Sequence, residues 1–388
     1  MPSEEAGGMR IKELAEKLGL SARSIRFYES KGLLPPSRRL ENGYRVFDAG
    51  DERKLKRIAA LREIGLTVEE IGALPDRGDS AAAEAAVRSA LERRRSMLFA
   101  QMTQIGRDIR TLDRMLERSG DSAEESVPAF ADREEAWFGM AAQLKHIREL
   151  HAGWTDVWDF DARAAEHDSR VLGAEGSPEH PHYAAALDAV CAITRPAAGE
   201  RGLDIGAGTG NLAGRLSESG ADMAAVDQSA AMLEICRAKF PALDARPGNF
   251  LYLPFESGSF DFAVSSYAFH HLSGEQKPLA LREIRRVLKP GGRFCIADTM
   301  FEHEGQRQLA VAELERRARS GGADGAAAAA ELRRIREVHE SNLDELLELI
   351  ASQGWRAGFV PVAGAVYLVH TGDAEEAPRR AGVNGPAE

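Results

Sequence analysis

Four glycines within nine residues form a loop that could hold a nucleotide-type cofactor. The segment 202–210 reads Gly-Leu-Asp-Ile-Gly-Ala-Gly-Thr-Gly. Glycines let a strand turn sharply into a helix and let the backbone pass against a ligand, where any side chain would collide with it. The fingerprint of a dinucleotide site would need its third glycine at position 211, which is Asn211 in this chain. The pattern therefore argues against NAD as the cofactor.

A carboxylate and two histidines follow the loop at the expected ends of later strands. Asp227 ends the apolar segment 222–226, twenty-one residues after Gly206, and a carboxylate there can accept both hydroxyls of a ribose. Its alternative role is to cap the helix that follows. His270 and His271 come after the fourth predicted strand, where one of them could act as a base near neutral pH. Alternatively, one histidine packs and the other orders the loop.

Basic and aromatic residues near the N-terminus have the spacing of a DNA-binding element. Ser21 can cap a helix that follows a shorter one ending at Gly19, which is the spacing of a helix-turn-helix. Consecutive prolines at 35–36 stop the second helix, and an Asn-Gly turn at 42–43 then forms a small wing. The side chains that this helix and wing would present to a duplex are Arg23, Arg26, Tyr28, Arg39, Tyr44 and Arg45.

The distribution of charge supports a nucleic-acid partner for this first segment. Residues 9–75 contain fourteen Lys and Arg against ten Asp and Glu, a net charge of +4, whereas the whole chain of 388 residues carries −11. A basic module on an acidic chain suits a protein whose first segment meets phosphate. The length also exceeds that of one ordinary core, so we expect two or more domains.

Apolar residues recur every seven positions between about 81 and 117. One row consists of Leu91, Leu98, Ile105 and Leu112, and a second row consists of Met102, Ile109 and Leu116. This pattern predicts a long helix that forms a coiled coil with the same helix of a second chain. Packing of the helix on its own chain is the alternative.

Alternating strands and helices follow an acidic, aperiodic linker. Helical periodicity resumes at Glu134, and an aromatic cluster of Trp154, Trp158 and Phe160 then suits a cap or core better than a platform for bases. From Glu200 the alternation predicts a doubly wound parallel sheet. The alternating segments are 201–205, 211–219, 222–226, 230–239, 260–265, 275–288 and 293–297, completed by strands near 356–362 and 366–370.

Cysteine spacing and hydropathy argue against several classes of protein. Cys191, Cys236 and Cys295 lie far apart, without a second Cys or His at metal-ligand spacing, so neither a zinc site nor a disulfide framework is predicted. No run approaches the roughly 18 apolar residues that a membrane helix needs, and residues 1–8 do not read as a cleavable signal. We therefore expect a cytoplasmic protein with buried thiols and without a metal.

The helix-turn-helix, wing and long helix together resemble the MerR family of transcription regulators. The resemblance covers residues 9 to about 117. It implies that Arg26 and Tyr28, with the wing side chains, hold DNA backbone and bases. It also implies a homodimer that binds an inverted repeat in a promoter, where effector binding untwists the double-stranded DNA for RNA polymerase.

The glycine loop resembles the first motif of class I S-adenosylmethionine (SAM) methyltransferases. Ser-Ser-Tyr-Ala-Phe-His-His-Leu at 265–272 and Leu-Lys-Pro-Gly-Gly-Arg at 288–293 fit the same family, and the resemblance covers about 158–372. It implies SAM as the cofactor and a small-molecule methyl acceptor that the resemblance does not identify. The residues that it assigns to SAM are Asp204, Gly206, Ala207, Gly208, Gly210, Asp227, Gln228, Met232, Asn249, Phe250 and Ser265.

Two positions depart from the family pattern. Asn249 stands where relatives usually carry Asp, although its amide oxygen can still accept a hydrogen bond from the adenine amino group. His167 precedes Asp168 in the segment expected to cap the site, where relatives have an aromatic residue. The adenine contact and the lid over the methyl group are therefore the parts of the site in which this chain should differ.

The chemistry of methyl transfer leaves three functions open. The reaction is an in-line displacement that depends on positioning, and it needs a base only if the acceptor must lose a proton. A regulator could sense SAM, its demethylated product or an acceptor; a working methyltransferase could regulate its own promoter; or the domain could be a scaffold, against which the intact loop argues. The candidate catalytic residues are Tyr267, His270 and His271, with Asp298 at a matching strand end.

The predicted fold class is multi-domain. An α-helical winged helix-turn-helix with a long coiled-coil helix precedes an α/β Rossmann-like class I methyltransferase domain. The predicted boundaries are 9–76 for the DNA-binding domain, 80–118 for the dimerisation helix, 119–133 for a linker, 134–195 for a helical cap, 196–372 for the methyltransferase domain and 373–388 for a disordered tail.

Overall fold

A computed structural model of the chain describes residues 8–35, 38–39, 45–75, 81–120, 130–152, 159–173 and 180–372. The chain forms two compact units, Met1–Met97 and Leu98–Glu388. Trp154, Trp158, Tyr44 and the predicted tail 373–388 lie outside the described residues. Among the helices that the structure describes, none has the length and apolar content to span a bilayer.

The first unit is a small helical domain with a three-stranded antiparallel sheet in the order β1-β3-β2. Its core contains the fully buried Leu14, Ile25 and Leu55. The elements are β1 (Met9–Arg10), α1 (Ile11–Leu18), α2 (Ala22–Ser30), β2 (Arg38–Arg39), β3 (Arg45–Phe47), α3 (Ala49–Glu63), α4 (Val68–Ala73) and the first part of α5 (Ala81–Gly120).

Local capping residues set the ends of these helices, as the sequence predicts. Gly19 ends α1 with a φ of +63°, a conformation that glycine adopts without steric cost. Ser21 caps α2 by accepting a hydrogen bond from the Ser24 amide, and Asp48 caps α3 in the same way. Thr67 and Glu70 form a reciprocal capping box at the start of α4. The predicted helix-turn-helix is therefore confirmed at its boundaries Gly19 and Ser21.

The part of α5 in the second unit exposes a continuous apolar row. The long helix is present as predicted, and α6 (Phe130–Ala152) begins within the predicted linker, four residues before the start of the predicted helical cap. Asp108 of α5 accepts two hydrogen bonds of 2.9 Å from Arg148 of α6. The side chains of the exposed row are between 46 and 57 % exposed: Leu98, Met102, Ile105, Ile109 and Leu112.

The remainder of the second unit is a doubly wound α/β domain. Its sheet order is β10-β11-β8-β7-β4-β5-β6, with β9 paired to β8. The elements are α7 (Phe160–Val171), α8 (Tyr183–Thr194), β4 (Arg201–Ile205), α9 (Asn211–Ser217), β5 (Asp222–Asp227), α10 (Ala230–Lys239), β6 (Asp244–Pro247), β7 (Phe260–Ser266), α11 (Lys277–Val287), β8 (Leu288–Phe301), α12 (Glu304–Ser320), α13 (Gly322–Glu337), β9 (Ser341–Asn342), α14 (Leu343–Ser352), β10 (Ala357–Ala363) and β11 (Val366–Thr371).

Strand alternation builds a core on both faces of this sheet. In β5, Ala224 and Val226 join one apolar cluster, whereas Met223 and Ala225 join the other. Strands β4 to β8 pair in parallel, but β10 and β11 pair antiparallel. The predicted parallel sheet is thus confirmed for its main part, and the two late strands close it as an antiparallel edge.

Candidate cofactor-binding site

The glycine loop turns β4 into α9 through three residues in the left-handed region. Gly206, Gly208 and Gly210 have φ values of +73°, +54° and +85°. A Cβ atom on Gly206 would lie 2.4 Å from the Cβ of Ala268, and one on Gly210 would lie 2.6 Å from the Sγ of Cys236. Backbone conformation and lack of space both require glycine here, and the result is a bare stretch of backbone.

Asp227 is held at the end of β5 by the loop itself. Its Oδ2 accepts a hydrogen bond of 2.8 Å from the Gly208 amide, and its Oδ1 accepts one of 2.8 Å from the Ser229 amide. Ser229 caps α10 with its own hydroxyl, so the capping role considered for Asp227 falls to Ser229. Both carboxylate oxygens of Asp227 are therefore oriented before any ligand binds.

A cavity of about 740 Å³, including its open mouth, lies beside this loop, within the size range of small-molecule sites. Most residues predicted for SAM line it, but Asp204, Gly210 and Ser265 do not. Of the candidate catalytic residues, Tyr267 and His271 line it and His270 does not. The lining residues are Phe160, His167, His180, Tyr183, Gly206, Ala207, Gly208, Asp227, Gln228, Met232, Gly248, Asn249, Phe250, Ser266, Tyr267, Ala268 and His271.

Asp204 lies beneath the loop rather than in the cavity wall. Its Oδ2 accepts a hydrogen bond of 3.1 Å from the Ala213 amide in α9. Complete burial raises the pKa of the Asp204 carboxyl to about 7. Ser265 is also a support, because its hydroxyl donates to the Ile205 carbonyl at 2.7 Å. These two side chains shape the loop from below.

The amide oxygen of Asn249 is already engaged by the chain. It accepts hydrogen bonds from the Leu251 amide at 2.9 Å and the Tyr252 amide at 3.3 Å. The predicted bond from the adenine amino group would have to compete with both, since an amide oxygen has two lone pairs. Asn249 therefore orders the turn that carries Phe250 into the cavity wall.

His270 and His271 have different surroundings. His270 is buried, and its Nδ1 lies 2.6 Å from the Asp298 Oδ1, while its amide donates to Asp298 Oδ2 at 2.9 Å. This pair anchors the short 3-10 helix Phe269–His271. His271 reaches the cavity, and burial lowers the pKa of its imidazole to about 3. His271 is thus neutral near pH 7, which differs from the expectation of a base that titrates there.

Tyr267 occupies a strained position in the cavity wall. Its φ is +51°, unusual for an aromatic residue, and its amide donates to the Ala297 carbonyl at 2.9 Å. The phenol donates a hydrogen bond to the Pro181 carbonyl, and burial raises the pKa of this hydroxyl. Tyr267 therefore ties the end of β7 to the segment before α8 and serves as a positioning residue.

Helix α7 contributes Phe160 and His167 to the wall of the cavity. Asp161 accepts hydrogen bonds from the Ser229 hydroxyl at 2.5 Å and the Ala231 amide at 3.2 Å. Asp168, seven residues later on the same helical face, meets the start of α9. Asp161 and Asp168 therefore bind the N-termini of α10 and α9, and we call this pair the clamp. The seven-residue spacing of the two acidic residues is the sequence signal that could have revealed it.

Asp168 is the more heavily bonded end of this clamp. It accepts hydrogen bonds from Thr209 at 2.5 Å, Asn211 at 3.0 Å and Lys239 at 2.7 Å. Burial alone would raise the pKa of the Asp168 carboxyl, but these hydrogen bonds outweigh it and lower the pKa. The His167 next to it points its Nε2 toward Gly208, within 3.6 Å of where a Cβ would stand.

In the first unit, α2 presents arginines outward and an aromatic ring inward. Arg23 and Arg26 are exposed, whereas Tyr28 is only 8 % exposed and belongs to the core. The ring of Tyr28 is therefore a packing group, in contrast to the predicted DNA contact. Arg45 of the wing lies 3.1 Å from Glu29 of α2, which fixes the two elements together. The side chain of Arg39, another predicted DNA contact, is not among the described side chains.

The fold and the cavity define a Rossmann-like methyltransferase domain that follows a helix-turn-helix unit. A model of the methyltransferase domain matches residues 203–296, and a model of the MerR HTH family regulatory protein matches residues 9–76. The chain belongs to this methyltransferase family and carries a MerR-type DNA-binding unit at its N-terminus.

Curated relatives resemble the methyltransferase part of the chain. An uncharacterised methyltransferase from Oceanobacillus iheyensis is 34 % identical over 160 residues, which cover 41 % of this chain and 73 % of that protein. Another from Bacillus subtilis is 30 % identical over 213 residues, which cover 54 % of this chain and 94 % of that protein. Neither description names a substrate.

Replacing Asp168 with alanine should loosen α7 and weaken SAM binding by about tenfold, because three hydrogen bonds are lost, one of them from a cation. Hydrogen exchange across residues 160–171 and calorimetry with SAM would measure the two effects. Glu166→Ala is the matched control, since this exposed carboxylate on the same helix pairs only with Arg170 among the contacts described. If hydrogen exchange across residues 160–171 is the same in both variants, Asp168 does not hold α7 in place.

Proposed function

We propose that this chain is a MerR-type transcription regulator whose methyltransferase domain binds SAM and senses SAM, its demethylated product or a methyl acceptor. The observation that carries the proposal is the pairing, in one chain, of a basic helix-turn-helix with a cavity built around a pre-oriented carboxylate, Asp227. DNA binding is the output, and occupancy of the cavity is the input.

The cavity fits SAM on three grounds. Gly206 and Gly208 line the cavity with bare backbone, and Asp227 stands where both ribose hydroxyls can donate to it. Met232 and Phe250 supply apolar surface for the adenine ring. When bound, SAM would supply an electrophilic methyl group. The residues of the chain would bind it and orient it toward the acceptor.

The second candidate function is an active small-molecule methyltransferase that regulates its own promoter. The observation in its favour is that the same cavity is also lined by Tyr183, Tyr267 and His271, none of which is assigned to SAM. A sensor of SAM alone has no need of cavity lining beyond what the cofactor contacts. Both candidates share SAM binding and DNA binding.

A homodimer is the form in which we expect the regulator to act. The exposed row on α5, which includes Leu98, Ile105 and Leu112, has the heptad spacing of a coiled coil. A twofold dimer would place two helix-turn-helix units on an inverted repeat, from which it could influence RNA polymerase at the promoter.

Titrations of one preparation with both ligands test the proposal. Calorimetry with SAM and with its demethylated product measures the input, and fluorescence anisotropy with DNA from upstream of the protein's own coding sequence measures the output. A shift in DNA affinity or in DNA twist when SAM is added supports the sensor. DNA binding that is indifferent to SAM, together with labelled product from a cell extract, favours the autoregulating enzyme. Absence of SAM binding refutes both.

Arg26→Ala should reduce the affinity for that DNA by about tenfold or more and leave the affinity for SAM unchanged. An exposed arginine on a recognition helix contributes about 1–3 kcal/mol per half-site. Arg93→Ala, which removes the same charge from an exposed position on α5, serves as the control. Loss of SAM binding in Arg26→Ala would point to misfolding. Equal DNA affinity of Arg26→Ala and Arg93→Ala would show that Arg26 of α2 does not contribute to DNA binding.

A further inference from the structure

The cavity wall next to Asp227 is formed by a tight turn that begins at Asn249. Strand β6 pairs with β5 so that Pro247 lies opposite Asp227, and the Gly248 amide donates to the Asp227 carbonyl at 3.0 Å. Asn249 follows directly and exchanges backbone hydrogen bonds of 3.3 and 3.2 Å with Tyr252. The turn is therefore fixed to the strand end that carries the proposed ribose contact.

Two backbone amides determine the orientation of the Asn249 side chain. The Leu251 and Tyr252 amides both donate to its Oδ1, at 2.9 and 3.3 Å. The opposite orientation would place the NH2 group against two N–H donors, so these hydrogen bonds assign the oxygen to the turn. The polar atom that remains for a ligand is Nδ2, which has no hydrogen-bond partner among the residues that the structure describes.

A second donor belongs to the next residue. The backbone amide of Phe250 donates to no acceptor in the described part of the chain, and Phe250 lines the cavity beside Asn249. An NH2 group and a backbone N–H can only donate. We call these two groups, Asn249 Nδ2 and the Phe250 N–H, the donor pair. A base that binds at this turn is therefore selected by the acceptors that it offers.

Two types of purine offer different atoms to the donor pair. A 6-aminopurine has an acceptor nitrogen on either side of an amino group that donates, whereas a 6-oxopurine has an acceptor oxygen at this position, next to the acceptor N7. Both donors can thus be satisfied on the 6-oxopurine, but on the 6-aminopurine one of them faces another donor. A donor that loses water without gaining an acceptor lowers affinity. Gln228 in the same wall carries an acceptor and donors, so its type favours neither ring.

We propose that Asn249 makes the cavity a site for 6-oxopurine nucleoside thioethers, which it binds at least as tightly as their 6-aminopurine forms. The proposal rests on the function proposed above, because it takes Asp227 to hold the ribose. The ligand class is the demethylated cofactor with an oxygen in place of its 6-amino group. Hydrolytic deamination, which consumes water and releases ammonia, is the class of reaction that would supply it.

A carboxylate at position 249 would have the opposite preference. One carboxylate oxygen would accept from the turn, as Oδ1 of Asn249 does, and the other would replace the NH2 group. That second oxygen would accept from a 6-amino group and repel a 6-oxo group. Asn249 is therefore the residue that determines which purine the cavity prefers, and a regulator with this site would respond to both forms of the demethylated product.

The test compares two thioethers that differ only at position 6 of the purine. S-adenosylhomocysteine and S-inosylhomocysteine both lack the sulfonium, and their rings are uncharged near pH 7, so neither ligand charge nor turnover affects the comparison. Calorimetry with the full-length protein gives a dissociation constant for each. We expect the inosyl form to bind as tightly as the adenosyl form or more tightly. An adenosyl form that binds more than about threefold tighter overturns the proposal.

Asn249→Asp should shift the ratio of the two dissociation constants toward the adenosyl form by about tenfold or more. Asn342→Asp is the matched control, because Asn342 has the same arrangement at the start of α14. Its Oδ1 accepts from the Asp344 and Glu345 amides at 3.0 and 3.4 Å. If the ratio is the same in the two variants, Asn249 does not read the base, and the proposal fails.

The measurements on the wild type separate this inference from the proposed function. If the protein binds neither thioether nor SAM, the proposed function is refuted and the inference with it. Binding of SAM together with a clear preference for the adenosyl thioether refutes the inference alone. Thermal unfolding checks that Asn249→Asp keeps its fold, and if it does not, the ratio in the wild type decides the question.

Discussion

Asp227→Asn should weaken SAM binding on the order of 100-fold. Asp227 accepts amide hydrogen bonds from Gly208 and Ser229, one on each oxygen, and these bonds orient the carboxylate in the cavity wall, where we expect the ribose hydroxyls of SAM to donate to it. Asparagine removes the charge and presents an NH2 group where one of these donors points. Two charge-assisted hydrogen bonds contribute about 1.5–3 kcal/mol each, so the loss of both would exceed tenfold by a wide margin.

Asp222→Asn is the control for this prediction. Asp222 begins the same strand, β5, and its side chain is exposed, so the substitution removes an equal charge far along the strand from the loop. Calorimetry with SAM compares the two variants, and thermal unfolding checks that both remain folded. If Asp227→Asn binds SAM as tightly as Asp222→Asn does, the carboxylate does not hold the ribose, and the cofactor assignment loses its main polar contact.

The parts of the fold that the sequence predicted depend on local physics. A glycine required by a positive φ, such as Gly206, and a helix cap, such as Ser21, are decided within a few residues. The apolar alternation of β5 likewise reveals a strand with both faces covered. These local signals were enough to predict the helix-turn-helix, the glycine loop and the alternating segments between 201 and 297, except for β6. The elements α12, α13, β9 and α14 between β8 and β10 were not predicted.

The parts that were missed depend on contacts between distant residues. The ring of Tyr28 packs in the core although a helix pattern alone places it beside Arg26, because burial depends on what lies against each face. The bond between His270 and Asp298 joins residues twenty-eight positions apart and withdraws His270 from the cavity. The clamp of Asp168 on Lys239 spans seventy-one positions. Such pairings form only when the sheet is assembled, so the sequence alone does not reveal them.

The double variant Leu98→Glu with Ile105→Glu should convert a dimer into a monomer. Both side chains are on the exposed apolar row of α5, at 46 and 57 % exposure, seven residues apart. Carboxylates at such positions would face each other across a coiled coil and lose the apolar contact that holds it. Sedimentation velocity would show the change in mass directly.

The same variant should lose affinity for an inverted-repeat operator on the order of 100-fold or more. In a dimer the second helix-turn-helix binds as an intramolecular event at high effective concentration, and a monomer forfeits that gain. Leu309→Glu is the control, because Leu309 is 74 % exposed on α12 and lies outside the heptad row. A double variant that still sediments as a dimer would show that the row on α5 does not form the interface, whereas a monomer with unchanged DNA affinity would show that one helix-turn-helix is sufficient for binding.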